Sequence, residues 1–208
     1  MTLGQLAVTN PPLLSISSQT IERATSFKLL GLHTDSSLSW FTHIDYVKTT
    51  TKLFFLKQLK RAGFSSSHLL HFYTTVIRPV LEYYAPVWHY ALTKLTKAHS
   101  ESLEAVQQHA IHIVHNLTRG MPYSSMLFYA HLNNLASRRE DLSRSFFRNV
   151  FNTDSCLHSL LPPPRPPAVT SSRLISPQTF PKVHTRTHRY CFFIQYGLKH
   201  YQHKTNKS

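Results

Sequence analysis

Acidic residues are scarce in this chain and widely spaced, which limits the chemistry that it could perform. Enzymes that transfer phosphoryl groups with two metal ions direct several carboxylates into one site. Here only Glu140 and Asp141 are adjacent, and arginines surround them, a pattern typical of ion pairs. The sequence therefore predicts no two-metal site. The nine acidic residues are Glu22, Asp35, Asp45, Glu82, Glu101, Glu104, Glu140, Asp141 and Asp154.

Glycine and cysteine patterns exclude several other classes of site. The five glycines form no GxxxxGK[ST] phosphate loop, no GxGxxG and no GxSxG nucleophile elbow. The two cysteines, Cys156 and Cys191, lie far apart and predict neither a disulfide framework nor a zinc ribbon. This usage suits a reducing, intracellular compartment, with nucleus and cytoplasm both open.

Histidines give two short patterns that could bind a metal. His33 and Asp35 form an HxD, the first two ligands of an iron facial triad, but that site needs a distal histidine and a β-barrel. His109 and His112 are three residues apart, a spacing compatible with two ligands on one ion. No evident carboxylate or cysteine accompanies them, and we interpret them as surface histidines. We expect no metal and no cofactor.

The strongest chemical signal is positive charge. Lysine and arginine outnumber aspartate and glutamate by 23 to 9, a net charge of +14 with neutral histidines. This surplus favours a polyanionic partner, chiefly RNA or DNA, over an acidic membrane. Uncharged apolar runs of about 18 residues, as a membrane helix requires, do not occur. The candidate backbone contacts are Lys57, Lys60, Arg61, Arg78, Arg138, Arg139, Arg186 and Arg189.

These residues must be positioned by helices, because apolar spacing of three and four dominates the chain. The fold class predicted is mainly α: a small helical bundle preceded by a short strand. The strand contains Phe27–Leu32, with a bend at Gly31. A helix should then run from Trp40 to Ala62 and stop at Gly63, with Ile44, Val47, Phe54, Phe55 and Leu59 on its apolar side. Lys57, Lys60 and Arg61 would lie in its last turns, where a solvated face is the alternative to a phosphate contact.

The densest apolar stretch is Leu69–His89, predicted as a buried helix pair interrupted by Pro79 and Pro86. Serines at 65–67 should cap it. A third helix is expected from Ala98 to Leu117, and one or two more over Met126–Val150 with a break near 133–134. The apolar side predicted for the central stretch consists of Tyr73, Val76, Ile77, Val80, Tyr84 and Val87.

Composition changes after the helices. Leu161–Val169 is a proline tract with polyproline II character, which could be a stiff connector or a ligand for an SH3-like groove. Basic and aromatic residues then interleave in the tail, where they could stack on bases or pack back on the domain. The predicted divisions are a disordered leader at 1–25, a strand and turn at 26–38, a helical domain at 39–160, a proline-rich linker at 161–184 and a basic-aromatic tail at 185–208.

Several blocks, taken in order, resemble the C-terminal part of reverse transcriptases of non-LTR (LINE-type, Jockey-like) retrotransposons. They include FKLLGLHTDSSLSWFTHIDYV, LFFLKQLKRAGFSSSHLLHFYTTVIRPVLEYYAPVWH, LEAVQQHAIHIV and TRTHRYCFFIQYGLKHY. The resemblance covers Phe27–Tyr201. It implies that Phe27–His33 is the end of the palm, that Ser39–Leu117 is the thumb that holds a template–primer duplex, and that the later segments contact nucleic acid.

The departures from that family bear on function. The fingers, most of the palm and the paired aspartates of the polymerase site have no counterpart in this sequence. The resemblance therefore implies a catalytically inactive, non-enzymatic chain that retains nucleic-acid affinity at most. A second block, KLLGLHTDSSLSWFTHI, is similar to a short N-terminal domain of AlkB-type tRNA-modifying proteins. That alternative would imply dioxygenase or methyltransferase activity, with His33 and Asp35 as the residues to test.

Overall fold

The computed structural model describes residues 13–36, 40–89, 97–118, 120–164, 180 and 197–198. These residues are mainly helical, as predicted, and short β-hairpins precede the helices. The chain divides into two compact units: Met1–Tyr84 with Leu95–Leu135, and Ala85–Lys94 with Ala136–Ser208. The sequence had suggested one helical domain over 39–160. In the structure this range is shared between the two units. The chain passes from the first unit to the second after Tyr84, returns to the first after Lys94, and enters the second again after Leu135.

Two antiparallel hairpins begin the first unit. Strands β1 (Ser15–Ile16) and β2 (Gln19–Thr20) lie within the predicted disordered leader, and their residues are all exposed. Strands β3 (Ser26–Leu29) and β4 (Leu32–Asp35) form the second hairpin. Its turn has φ of 48° at Leu30 and 85° at Gly31. Two positive φ values favour glycine at such a tight turn, so the predicted bend at Gly31 is the turn of a hairpin rather than a kink in one strand.

The helix predicted from Trp40 to Ala62 is two helices, α1 (Phe41–Thr49) and α2 (Leu53–Arg61). Threonine side chains between them explain the break. The Thr50 hydroxyl donates to the carbonyl of Tyr46 at 2.9 Å, and the Thr51 hydroxyl donates to that of Lys48 at 2.6 Å. Hydroxyl groups that bond nearby carbonyls compete with the helical ladder.

The central stretch begins as predicted and then departs from regular helix. The Ser65 hydroxyl accepts from the backbone N–H of His68 at 3.5 Å and caps α3 (Ser66–Phe72). A π-helical turn, Tyr73–Ile77, then leads into α4 (Arg78–Glu82). Pro79 accounts for the wide turn, because its ring cannot donate a hydrogen bond and crowds the carbonyl four residues earlier.

The π turn also changes which side chains are buried. The buried residues recur at every fourth position: Leu69, Tyr73, Ile77 and Leu81. The predicted apolar side is therefore correct at Tyr73 and Ile77 but wrong at Tyr84 and Val87, which are exposed. Tyr84 has a φ of 50°, which ends the helix before a further helical turn, α5, at 85–89.

The remaining helices agree with the predicted number. They are α6 (Lys97–Val114), α7 (Tyr123–Tyr129) and α8 (Leu135–Phe151). The chain between α7 and α8 is non-helical at 133–134, which confirms the predicted break. Residues 161–164, the start of the proline tract, have no regular structure, and the rest of that tract lies outside the described residues.

A buried glutamine connects three elements of the first unit. The Gln107 side chain accepts from the Tyr73 hydroxyl at 2.7 Å and donates to the Tyr123 hydroxyl at 2.9 Å and to the Asn133 carbonyl at 3.0 Å. The Tyr123 hydroxyl in turn donates to Glu104 at 2.6 Å. Buried polar groups that are all paired fix the register of the helices that carry them. This network holds α6 in place, and α6 in turn supports the site described next.

Candidate nucleic-acid interface

Helix α2 presents two cations to solvent. Leu56 faces the core and is fully buried, whereas Lys57 and Arg61 are exposed. These two residues are four apart, so their side chains are neighbours on the helix surface. The helix contains no acidic residue that could neutralise them. Both were predicted as backbone contacts, and both are accessible to a phosphate.

Lys60, the third predicted contact on α2, also makes hydrogen bonds to the end of α6 and the residues that follow it. Its ammonium group donates to the carbonyl of Ile113 and, at 2.6 Å, to the side-chain oxygen of Asn116. A cation at this position satisfies a carbonyl at the C-terminal end of α6 and complements the helix dipole. An ammonium group has three donors, so Lys60 can hold α2 against α6 and still contribute charge to the surface.

A row of histidines continues this surface along α6 and just past its end. His109 is exposed, and His112 and His115 are half-buried. A ring nitrogen of His112 lies 2.9 Å from the Thr118 hydroxyl, and the His115 ring lies edge-on to Tyr129 with 5.0 Å between ring centroids. We call the surface formed by these histidines and the three cations of α2 the α2–α6 face. Its members are Lys57, Lys60, Arg61, His109, His112 and His115.

The electrostatics of the α2–α6 face show that its charges are of one sign. Burial, followed by the nearby Lys57 and His112, lowers the pKa of His109 below its usual value. Burial, followed by Lys60, lowers the pKa of His115. The charged groups that act on both imidazoles are thus cationic. A bound phosphate would reverse this effect, because an anion favours the protonated form of histidine.

The other predicted contacts are on other elements. The Arg78 Nε is 3.8 Å from Glu82 on the same helix, and both side chains are largely buried. Arg139 is only 1% exposed, and its guanidinium carbon lies 5.7 Å from the centre of the Trp88 ring. Arg138 is half-buried on α8. Because its side chain is buried, Arg139 is not accessible to a phosphate, and its prediction as a backbone contact is wrong. Arg186 and Arg189 lie outside the described residues.

Two aromatic residues on α2 were assigned to the wrong environment by the sequence. Phe54 and Phe55 were expected on the apolar side of one long helix, yet they are 63% and 54% exposed. The break at 50–52 resets the helical phase, so the periodicity of α1 does not continue into α2. The spacing of Phe54, Lys57 and Arg61, at intervals of three and four, is the signal in the sequence that these residues share one face.

The HxD residues lie on β4, where they belong to a hairpin rather than a barrel. The His33 ring lies 4.3 Å from that of Tyr46, and the described residues contain no group of three metal-binding side chains. Burial, followed by His33, lowers the pKa of His43 to about 4. The AlkB-type alternative stays a prediction, and the described structure supplies no third ligand for it.

An apolar cavity of about 550 Å³ opens beside the β3–β4 turn. The Tyr83 hydroxyl donates to the Leu30 carbonyl at 3.0 Å at its edge. Among the described lining residues Lys52 is a cation and none is a carboxylate. The lining consists of Leu30, Gly31, His43, Tyr46, Val47, Thr50, Lys52, Pro79, Val80 and Tyr83.

Within the described ranges, every helix is too short or too polar to cross a membrane. Comparison of the chain with models of known protein families, with curated proteins and with solved structures finds no match.

Proposed function

We propose that this chain binds the sugar–phosphate backbone of RNA or DNA through the α2–α6 face and performs no catalysis there. The observation that supports the proposal is the single sign of charge on this face. Lys57 and Arg61 are exposed on a helix without acidic residues. Burial lowers the pKa of His109 and of His115, and the nearby charges that lower these pKa values further are cationic as well. Phosphate contacts by lysine and arginine supply most of the affinity of sequence-independent binding.

The proposal agrees with what the reverse-transcriptase resemblance implies for the thumb, in which helices hold nucleic acid by its backbone. The proposal uses fewer backbone contacts than the eight candidates from the sequence. Lys57, Lys60 and Arg61 lie together on α2, whereas Arg78 is paired with a carboxylate of its own helix. Affinity should depend steeply on salt and only weakly on sequence, since counterions are released when phosphates are neutralised.

The test is a comparison of two double variants of the full chain. Lys57→Ala/Arg61→Ala removes two charges from the face, and Lys48→Ala/Lys97→Ala removes two charges that already lie near Asp45 and Glu101, at 3.3 and 3.6 Å. Binding of a labelled mixed-sequence oligonucleotide is measured between about 50 and about 200 mM salt.

We expect the first variant to lose about tenfold in affinity at low salt and to lower the salt slope by about two, one for each lost contact. The control variant should lose less than about twofold, because its cations are already compensated. Equal losses in both variants would show that net charge rather than this face binds the nucleic acid. No binding by the unaltered chain at low salt would overturn the proposal entirely.

A further inference from the structure

The exposed phenylalanines of α2 are the feature that backbone binding leaves unexplained. Phe54 and Phe55 are 63% and 54% exposed, and their rings lie edge to face with centroids 5.8 Å apart. Burying a phenylalanine side chain is favourable by about 1.5–3 kcal/mol, so two adjacent exposed rings leave a considerable gain unused. Such a patch, surrounded by polar residues, is typical of a binding surface.

The position of Phe54 relates this patch to the cations. Lys57 follows it by three residues and Arg61 by seven, so all three share the solvent side of α2. A phenyl ring at one end of this row can stack on a base while the two cations, one and two turns further along the helix, meet phosphates of the same strand. This combination is the physical basis of single-strand binding, where bases are free to stack on aromatic side chains.

Resting on the proposed function, we infer that the α2–α6 face binds single-stranded in preference to double-stranded nucleic acid, with Phe54 and Phe55 stacking on unpaired bases. In an intact duplex the faces of the bases are already stacked on one another, so the rings would gain nothing there. A protein partner is less suited to this surface, because covering the rings would also desolvate Lys57, and lysine is depleted at protein interfaces.

The experiment uses the full chain and two labelled probes with the same number of phosphates: a single-stranded oligothymidylate and a self-complementary hairpin. Phe54→Ala/Phe55→Ala is compared with Phe27→Ala, which removes a ring of similar exposure, 53%, from β3. Circular dichroism confirms that each variant keeps its helical content. Light scattering reports the mass of each protein in solution.

We expect the unaltered chain to bind the single strand about tenfold more tightly than the hairpin. Phe54→Ala/Phe55→Ala should remove that preference while leaving hairpin affinity and its salt slope unchanged, and Phe27→Ala should change neither. Phe54→Tyr, which keeps an aromatic face, should retain the preference.

Several outcomes would overturn the inference. Equal affinity of the unaltered chain for both probes would overturn single-strand preference while leaving backbone binding intact. If the double variant loses affinity equally for both probes, the rings support the structure of the face and do not stack on unpaired bases. If the unaltered chain is dimeric and the double variant is a monomer with its single-strand preference retained, the rings form a protein interface. No binding of either probe at low salt would remove the proposed function as well.

Discussion

Helices α2 and α8 are both rich in lysine and arginine, yet they place these cations in opposite environments. On α2, Lys57 and Arg61 point to solvent and no carboxylate lies on the same helix. On α8, the Arg144 guanidinium lies 3.7 Å from Glu140 and 3.5 Å from Asp141. Arg139, one turn earlier, is buried beside Trp88.

The difference shows that the number of basic residues in a helix does not measure the charge it offers to a phosphate. An acid three or four residues away neutralises an arginine at short range. An arginine whose long side chain packs against an aromatic ring contributes to folding instead. The local sequence around each cation therefore matters more than the net charge of the chain.

The largest expected effect concerns the buried arginine. Arg139→Ala should lower the free energy of unfolding by about 2–3 kcal/mol, because it removes a large buried side chain and its contact with Trp88. Arg61→Ala, on the exposed side of α2, should change it by less than about 0.5 kcal/mol. Urea unfolding, followed by tryptophan fluorescence, measures both values. If both variants changed the free energy of unfolding by a similarly small amount, the two helices would not differ in the role of their arginines.

A change in pH should have an intermediate effect, in this case on oligonucleotide affinity. His109 and His115 have lowered pKa values, so they are neutral near pH 7 and gain charge only as the pH falls. A bound phosphate raises these pKa values, so binding takes up protons and affinity increases in acid. Between about pH 7 and about pH 5 we expect a gain of about threefold or more in oligonucleotide affinity.

The matched variants identify the groups responsible for this gain. His109→Gln/His115→Gln should reduce the pH dependence and leave the affinity near pH 7 almost unchanged. His71→Gln, an exposed histidine on α3, should leave the pH dependence as it is. A double glutamine variant with the full pH dependence would contradict the assignment of these two histidines to the interface.

The smallest expected effect concerns a carboxylate on α8. Asp141→Asn removes the exposed carboxylate 3.5 Å from Arg144, but Glu140 still lies 3.7 Å from that arginine, and α8 is not part of the α2–α6 face. Oligonucleotide affinity should therefore rise by less than about twofold, and equally in the control Asp154→Asn, which changes the net charge by the same amount outside α8. A gain in Asp141→Asn clearly above that of Asp154→Asn would show that α8 also contacts the nucleic acid.

The sequence predicted the helical class, the end of α2 at Gly63, the Ser65 cap and the break near 133–134, because each has a local signal in residue type. It failed between Thr49 and Lys52, where three threonines interrupt a helix that apolar spacing alone would continue. Phe54 and Phe55 were misplaced for the same reason. The burial of Arg139 could not be predicted, because its neighbour Trp88 is distant in sequence.

The candidate interface was predicted only in part. Lys57, Lys60 and Arg61 are close in sequence, so one helix was sufficient to group them. The histidines of α6 joined them only through tertiary packing, for which Lys60 and its bond to the Ile113 carbonyl give direct evidence. A pattern along one helix contains no information on which helix packs beside it.

The π turn at Tyr73–Ile77 has a consequence for changes in chain length. Leu69 and Leu81 are both fully buried although they are twelve positions apart, whereas three turns of regular α-helix take about eleven residues. The turn thus accommodates one surplus residue. Deleting Thr74 should convert this segment to continuous α-helix with both leucines still facing inward. A deletion here would be absorbed locally, whereas a deletion within α6 would rotate every later side chain by about 100°.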